Sequence, residues 1–470
     1  MTLNPAILAR IQFAFTISFH IIFPTISIGL ATFLAIIEGL WLKTRDHVYL
    51  QIYRFWLGIF ALSFGVGVVT GIVLSFEFGL GFARFAEIAG PAIGPLIAME
   101  VLTAFFLEAG FLGIMLFGLH RVGPKLHFFA TCIVALGTLL SASWILAANS
   151  WMQTPDGVSI EGGRVIVTNW MKVVDNPSWI YRLPHMVLAA YLTGSFLVSG
   201  VGAWYLLRGK HEDFGRRTVA LGTAFAAILI AGQVFLGDLV YGVMLKNQPA
   251  KMQAAEGFWD EQSQSPAPYY WIIAPDQAEQ RNRFALGMPY LGSIWLTHSL
   301  YGRVAGLRNT PRDRQPIMAM TFYAFRVMYG TAIIMFGVVI ASLWLRWQRR
   351  LLTTRWFLRT LVILTPSGIV ATLAGWYLAE TGRQPWVIYG ILRTADAVSP
   401  VPGSAMTATL VAFVCIYALF FTAFCVFFLR MVRRGPELAP DHTEASGSVK
   451  NALRPQVMGK GIGPHPALEE

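Results

Sequence analysis

Long apolar stretches are the feature of this sequence that most restricts its fold. About nine of them are long enough, at roughly 20 residues or more, to cross a bilayer as an α-helix. The predicted spans cover residues 8–41, 52–75, 95–119, 128–148, 182–207, 218–244, 318–345, 358–380 and 404–430. Hydrophobic residues make up 55% of the chain and charged residues only 13%, which excludes an ordinary soluble domain. We therefore predict an all-α, multispanning transmembrane helical bundle.

Lysine and arginine are concentrated in alternate connections between the predicted spans. Arg121 and Lys125 follow the third span, and Arg346, Arg349 and Arg350 follow the seventh. Because such clusters stay in the cytoplasm, we predict an N-terminus on the outer face and a cytoplasmic C-terminus. The net charge of +11 reflects this topology and does not by itself indicate binding to nucleic acid.

The spans and their connections divide the chain into four parts. Residues 1–244 contain six spans and residues 318–435 contain three, while residues 245–317 form a long polar connection on the predicted outer face. A connection of this length in a compact membrane protein is usually functional. Residues 436–470 are rich in Pro, Gly, Ser, Lys and Glu, a composition that predicts a disordered cytoplasmic tail.

The cysteines do not form a recognisable binding motif. Cys132, Cys415 and Cys425 all fall in apolar runs, and the sequence contains no CxxC or CxxCH. This pattern argues against disulfides, a zinc site and covalently attached haem.

Two glutamates fall inside the third predicted span, where an unpaired charge is costly. On a straight α-helix, the eight residues from Glu100 to Glu108 turn the chain by about 80° and advance it by about 12 Å. Both carboxylates can therefore face one interior cavity. For this pair we favour a proton relay, or carboxylate ligation of a metal, over a structural role.

Two histidines are predicted at a similar depth, near the outer face. His20 lies in the first span and His185 in the fifth, where Pro184 is expected to begin the helix. A histidine in a span either hydrogen-bonds a neighbour or binds a metal, and for His20 alone both remain open. Met328, two residues after Arg326, is on its own most simply a core side chain. A histidine and a methionine together, however, are a known pair of axial haem ligands.

The most specific motif is Trp376-Tyr-Leu-Ala-Glu380-Thr-Gly-Arg383-Gln-Pro-Trp386. Glu380 ends an apolar run there, and a carboxylate at the end of a membrane span is a functional candidate by default. For this motif alone, an interfacial Glu–Arg pair with an aromatic anchor is the simpler alternative. Because ligand-type residues of other spans share its predicted depth, we favour a functional role.

Together these residues resemble the large haem-bearing subunit of the cytochrome bd quinol oxidases. The resemblance extends over nearly all of the first 430 residues, and the motif from Trp376 to Trp386 is its most specific part. Supporting positions are Arg10, His20, Glu100, Glu108, Ser141, Trp144, His185, Lys251, Glu256, Phe325, Arg326 and Met328. The resemblance implies quinol oxidation at the outer face and reduction of dioxygen to water with cytoplasmic protons, without a proton pump.

The resemblance also implies which residues bind which cofactors. His185 and Met328 match the axial ligands of a low-spin haem b, with Arg326 beside it. His20 and Glu380 match the ligands of two high-spin haems, one of b type and one the oxygen-binding haem d. Which of these two residues serves which haem stays open.

Further positions are assigned by the same resemblance. Glu100 matches a carboxylate at the high-spin pair, where it is a candidate metal ligand, and Glu108 and Ser141 match a proton route from the cytoplasm. Arg10 and Arg383 are candidate partners of the haem propionates, and Trp376 belongs to the same cofactor-binding motif.

The long connection corresponds to the quinol-binding loop of the family, with Lys251 and Glu256 at matching positions. Glu256 can accept a quinol proton, and Lys251 can orient a quinol oxygen. Their spacing of five does not place them on one helix face, so a solvated surface helix is the alternative. The loop is short and resembles the class that includes cyanide-insensitive oxidases, so the third haem is haem d or a third haem b.

The resemblance implies a multi-pass protein of the bacterial cytoplasmic (inner) membrane. It also implies a second multispanning subunit without haem, and it allows a small single-span subunit. On the residues alone a different class stays open, a proton-coupled transporter in which Glu100, Glu108 and His20 carry protons. No internal repeat is evident in the sequence, which counts against that alternative.

Overall fold

The structure, a computed structural model, describes residues 4–260 and 266–437 of the chain. Within these ranges nine helices are long and apolar enough to cross a membrane. The predicted all-α, multispanning bundle is therefore confirmed, while the orientation of its termini remains a prediction. The predicted tail lies outside the described residues from position 438 onward.

The helices are numbered in chain order. Seven spans are single helices: α1 Pro5–Thr44, α2 His47–Gly81, α5 Pro124–Gln153, α7 Trp179–Leu207, α8 Glu212–Asn247, α11 Met318–Trp347 and α14 Gly403–Arg434. The third span joins α3 Ala83–Glu100 through a π-helical turn, Val101–Phe105, to α4 Phe106–Phe117. The eighth span joins α12 Arg355–Ile363 to α13 Ser367–Thr381.

The connections contain short helices and three antiparallel hairpins. The short helices are α6 Trp170–Val174, α9 Pro249–Glu256 and α10 Leu291–Thr297. The hairpin strands are β1 Val158–Glu161 with β2 Arg164–Val167, β3 Tyr269–Asp276 with β4 Arg281–Met288, and β5 Trp386–Ile388 with β6 Leu392–Arg393. The described part of the long polar connection therefore forms a subdomain that contains α9, the β3–β4 hairpin and α10.

Helices α7 and α1 are the most enclosed of the spans, and α1 packs against α2, α5, α7, α13 and α14. Its crossing with α7 is close, because a Cβ on Gly29 would collide with the carbonyl oxygen of Ala190. Small residues at such crossings let two helix backbones approach each other. The first span thus forms the centre of the bundle, and His20 on it points into the interior.

The start of α7 differs from its prediction. The helix begins at Trp179, so Pro184 lies inside it and His185 lies in the second turn. The side chain of Asn176 accepts a hydrogen bond from the Trp179 backbone N–H at 3.2 Å, which supports an earlier start. Pro184 removes only the one backbone bond that its N–H would have made to Ile180. The expectation that Pro184 begins the helix is therefore wrong.

The subdomain of the long connection is attached to the bundle by a small apolar core. Ala254 of α9, Trp259, Ile273 of β3 and Phe322 of α11 pack together and are almost completely buried. Burial of apolar area is the main stabilising contribution to such a contact. It places α9 against the start of α11, so residues of the loop contact the interior of the bundle.

Candidate functional site

The spans enclose a cavity of about 1420 Å³. This volume exceeds the ~300–1,000 Å³ of ordinary ligand pockets, so it has room for more than one cofactor-sized group. Most of the predicted site residues line it: Arg10, His20, Glu100, Glu108, Ser141, His185, Lys251, Met328, Trp376, Glu380 and Arg383. Glu256 and Arg326 do not line the cavity, and their side chains are buried in the surrounding protein.

His20 lines the cavity, and one of its ring nitrogens contacts a threonine hydroxyl. Its Nδ1 lies 2.9 Å from Thr70 Oγ1, and that hydroxyl donates its own hydrogen to the carbonyl of Val66 at 2.9 Å or of Gly67 at 3.1 Å. When the hydroxyl donates in this way, it accepts from Nδ1, and Nε2 then has a lone pair available for a metal. A Cβ on Gly71 would lie 3.1 Å from the ring, so this glycine gives the imidazole its space. A hydrogen bond from the ring nitrogen that does not face the metal is typical of a metal-ligating histidine.

His185 and Met328 also lie on the cavity wall, each against a glycine. A Cβ on Gly237 would lie 3.3 Å from His185 Cε1, and one on Gly375 would lie 2.9 Å from the Met328 sulfur. His185 Nε2 makes a long contact of 3.4 Å with Gln233 Nε2. Its Nδ1 is buried and has no partner among the described residues. An unsatisfied buried ring nitrogen is unusual in a structural histidine and fits a ligand position.

Glu100 and Glu108 both reach the cavity, as predicted. Ser141 Oγ donates a hydrogen bond to Glu100 Oε1 at 2.8 Å, and Glu108 is only 5% exposed beside Gly137. The π-helical turn Val101–Phe105 separates the two glutamates. Such a turn contains an extra residue, so the 80° rotation expected of a straight α-helix does not apply. π-Helical turns frequently occur at functional sites.

Glu380 is the centre of a buried polar network. Arg383 forms an ion pair with Glu380 Oε2, and two amides donate to Oε1, Asn149 at 3.0 Å and Gln153 at 3.1 Å. Lys251 Nζ in turn donates to Gln153 Oε1 at 2.6 Å. The motif that ends the eighth span is therefore held by the C-terminal end of α5 and by α9 of the long connection.

Positive charge exceeds negative charge in this network. Arg182, Lys251 and Arg383 all act electrostatically on Glu380, the one carboxylate they share. Burial and the neighbouring arginines hold the pKa of the Lys251 ammonium well below its usual range. Arg383 Nε and Nη1 are buried and have no partner among the described residues. The surplus of buried cationic donors suits an anionic group in the cavity, such as a carboxylate-bearing cofactor.

Glu256 and Arg326 pair with each other. Arg326 Nη2 lies 2.9 Å from Glu256 Oε2, and its Nε donates to the carbonyl of Tyr270 at 2.6 Å. Glu256 is 2% exposed and Lys251 is 3% exposed, so the alternative of a solvated surface helix is wrong. Tyr241 lines the cavity, and its hydroxyl interacts with the Glu256 carboxylate. Arg326 Nη1 is buried and has no hydrogen-bond partner among the described residues, and the role of Arg326 beside a cofactor remains a prediction.

Arg10 and Trp376 complete the predicted set on the wall. Arg10 Nη2 donates to Gln384 Oε1 at 3.2 Å, so it contacts the same motif that contains Arg383. The described residues contain no group of three or more His, Cys, Asp or Glu side chains that could hold a metal ion together. The candidate ligands reach the cavity singly, which is how axial ligands approach a haem iron.

Several residues of the network were missed at the level of sequence. These are Asn149, Gln153, Arg182, Gln233 and Tyr241. The polar run that ends the fourth span is a visible signal for the first two. Arg182 is adjacent to the His185 segment, but its contact with Asn149 at 2.6 Å joins residues 33 positions apart.

Fold and site together define the class, a polytopic membrane protein whose internal cavity suits redox cofactors held by single side-chain ligands. Comparison with known proteins specifies the family. Residues 8–436 match the family model described as cytochrome bd terminal oxidase subunit I. The chain belongs to this family.

Individual relatives agree with that assignment. The chain is 33% identical to cytochrome bd ubiquinol oxidase subunit 1 of Bacillus subtilis (strain 168), with 93% of this chain and 95% of the relative covered. It is 32% identical to cytochrome bd-II ubiquinol oxidase subunit 1 of Escherichia coli (strain K12), with 91% and 96% covered. The structure of bd oxidase from Geobacillus thermodenitrificans matches with a TM-score of 0.85 and 30% identity, covering 93% of this chain and all of that one.

The family establishes the enzyme class. The protein is a bd-type quinol oxidase of the respiratory chain, and the family implies haem cofactors and a quinol substrate. The transporter alternative is therefore wrong.

Proposed function

We propose that this chain is the haem-bearing subunit of a terminal oxidase that oxidises quinol at the outer face of the membrane and reduces dioxygen to water with cytoplasmic protons. One observation supports this most strongly: a single cavity connects the candidate haem ligands, the Glu100–Glu108 pair and Lys251. Release of quinol protons on one side and uptake of protons on the other separates charge across the bilayer without a proton pump.

The residues proposed to ligate haem iron are His20, His185, Met328 and Glu380, and Glu100 is a further carboxylate candidate. Bound haem would supply one-electron transfer and the centre for dioxygen reduction. The free lone pair of His20 Nε2, the unpartnered His185 Nδ1 and the unpaired N–H groups of Arg383 support this fit. Residues proposed to contact the macrocycle or its propionates are Arg10, Arg326, Trp376 and Arg383.

Lys251 and Glu256 are proposed to act on quinol. Lys251 lies on the cavity wall, where its ammonium can donate to a quinol oxygen. Burial raises the pKa of Glu256 above its usual range even though Arg326 opposes this. A carboxylate with a raised pKa is better suited to accept a proton at neutral pH. Tyr241 stands between the cavity and this carboxylate and offers the contact through which the proton reaches it.

Glu108, Glu100 and Ser141 are proposed to deliver protons to the site of oxygen reduction. Ser141 Oγ already donates to Glu100, so these groups offer hydrogen-bonding atoms along α5 and the third span. Carboxylates inside a membrane span commonly mark proton pathways. Their placement on the cavity wall supports a route that ends at the cofactors.

The composition and setting of the complex follow from the same family. We propose a low-spin haem b, a high-spin haem b and either haem d or a third haem b. We also propose that the complex lies in the cytoplasmic membrane of a bacterium and contains a second multispanning subunit. A small single-span subunit is compatible with this proposal. The connection 245–317 would then be the outer quinol-binding loop, and the C-terminus would be cytoplasmic.

The direct test is a spectrum of the purified complex, reduced with dithionite minus air-oxidised, paired with haem extraction and quinol-dependent oxygen uptake. We expect b-type haem, with or without the red absorption band of a chlorin, which distinguishes haem d from a b-only enzyme. A purified complex that is folded but contains no haem would overturn the proposal.

Individual ligands can be tested with a matched pair of histidine variants. His185→Ala should remove the low-spin haem signal and retain high-spin absorbance, because only one iron loses its ligand. His120→Ala changes an exposed histidine that pairs with Arg54, so its spectrum should match wild type. An unchanged low-spin signal in His185→Ala would refute the ligand assignment.

A further inference from the structure

Gln153 occupies a bridging position that the proposed function does not use. It is the last residue of α5, it is completely buried, and it lies between Lys251 and Glu380. Its side-chain oxygen accepts from Lys251 Nζ at 2.6 Å, and its side-chain nitrogen donates to Glu380 Oε1 at 3.1 Å. One amide therefore connects a residue of the long connection to a residue of the eighth span.

The chemistry of its neighbours fixes the orientation of this amide. A protonated Lys251 can only donate hydrogen bonds and an ionised Glu380 can only accept them. Rotating the amide by 180° would set an NH₂ group against an ammonium and a carbonyl against a carboxylate. Both contacts would then be repulsive. The ammonium and the carboxylate thus hold the Gln153 side chain in one orientation, and loss of either partner loosens the other contact.

The backbone around Gln153 is also fixed. Gln248 Nε2 donates to the Gln153 backbone carbonyl at 2.6 Å, which joins the end of α5 to the residue that precedes α9. Gln153 Nε2 additionally contacts the carbonyl of Ala379 at 3.2 Å, next to Glu380. A change at Lys251 therefore acts on the amide itself, because its backbone cannot easily shift.

We propose that Gln153 is a positioning residue that transmits occupation of the quinol site to Glu380. The inference rests on the proposed function, in which Lys251 contacts quinol and Glu380 ligates haem iron. A quinol oxygen that takes a hydrogen bond from Lys251 competes with Gln153 Oε1 for the same ammonium. Once that charged bond weakens, only Glu380 and the Ala379 carbonyl hold the amide, so its position and its contact with Glu380 change.

Asn149 provides an internal comparison. Its Nδ2 donates to the same Glu380 oxygen at 3.0 Å, but its Oδ1 accepts from Arg182 rather than from Lys251. Asn149 therefore supports Glu380 without a connection to the quinol-contacting residue. A variant at Asn149 should alter the resting state of Glu380 and leave the response to quinone intact.

The test uses the purified complex with both subunits as wild type, Gln153→Met, Gln153→Glu and Asn149→Ser. Each is first assayed for haem content and for oxidation of ubiquinol-1 and menadiol. The air-oxidised enzyme is then titrated with the oxidised form of whichever quinol the wild type oxidises, and the haem absorbance is recorded. Quinone affinity is measured separately by calorimetry, so that a lost response is not confused with lost binding.

We expect quinone to shift the high-spin haem band in wild type and in Asn149→Ser. In both Gln153 variants the shift should be at most about one tenth of the wild-type shift, as expected for loss of a charged hydrogen bond. Lys251→Met should show the shifted spectrum without quinone. A full-size shift in folded Gln153→Met, or no shift in wild type, would overturn the inference. Absence of haem or of quinol oxidation in wild type would instead overturn the proposed function.

Discussion

Two parts of the cavity wall contain carboxylates with opposite surroundings. Glu380 is paired with Arg383 and receives two amide hydrogen bonds, with Arg182 and Lys251 nearby. On the part of the wall formed by the third span, the Ser141 hydroxyl donates a hydrogen bond to Glu100. Within the described ranges, no lysine or arginine forms an ion pair with Glu100 or Glu108.

This difference separates two kinds of task within one cavity. A carboxylate among fixed cations is suited to remain an anion and to hold a position, as a ligand must. Carboxylates with hydroxyl or apolar neighbours are not paired with a cation. They can therefore gain and lose protons without leaving a buried cation unpaired. We infer that the network of Glu380 positions groups and that the Glu100–Glu108 pair moves protons.

The largest expected effect is on the free energy of unfolding. It comes from comparing a Glu→Gln substitution at Glu380 with the same substitution at Glu100. Glu380→Gln leaves Arg383 buried without its anion, and breaking a buried pair in this way costs about 3–5 kcal/mol. Glu100→Gln leaves no buried cation unpaired and keeps an acceptor for Ser141, so its cost should be below about 1 kcal/mol. Thermal unfolding of the two purified variants would show the contrast. Equal destabilisation would remove the electrostatic distinction between the two parts.

The next effect is on rate, at Glu108. An amide cannot transfer a proton, so Glu108→Gln should slow oxygen reduction by about a hundredfold while haem content stays unchanged. Glu77→Gln is the matched control, because Glu77 is equally buried in a span but bonds Gln12 and Thr16 and does not line the cavity. Oxygen uptake and haem spectra of both variants test this. Wild-type turnover in Glu108→Gln would exclude it from the proton route.

Much of this comparison could be predicted from the sequence, because hydropathy determines the spans and an ionisable residue in a span is conspicuous. Glu100, Glu108, His20 and Glu380 were all found in this way and all line the cavity. The π-helical turn was not foreseen, since Val101–Phe105 has an ordinary helical composition.

The pairing of charges could not be predicted from the sequence. Arg326 and Glu256 are 70 positions apart, and Lys251 and Gln153 are 98 apart. No local pattern connects them, because tertiary packing of the long connection on α11 and α5 brings them together. The burial of Lys251 and Glu256 was missed for the same reason, since polar residues in a polar loop are normally exposed.

A pH profile tests the buried Glu256–Arg326 pair, whose carboxylate the proposed function assigns to quinol oxidation. Arg326 lowers the pKa of Glu256 against the effect of burial. Arg326→Gln should therefore raise that pKa further, so that loss of quinol oxidation at acid pH begins about one pH unit higher. The rate at low quinol concentration, measured across pH, reports this free-enzyme group. Arg308→Gln, which breaks an exposed pair with Asp260 in the same connection, should leave the profile unchanged.

The smallest expected effect is at Ser141. Ser141→Ala removes one neutral donor from Glu100, a change of about 1 kcal/mol or a few-fold in rate. Because the carboxylate itself remains, oxygen reduction should slow by much less than in Glu108→Gln, with spectrum and thermal stability unchanged. Ser141→Thr restores the hydroxyl and should recover the rate. A loss in Ser141→Ala as large as that in Glu108→Gln would mean that the proton route cannot bypass the hydroxyl, and that Ser141 does more than assist Glu100.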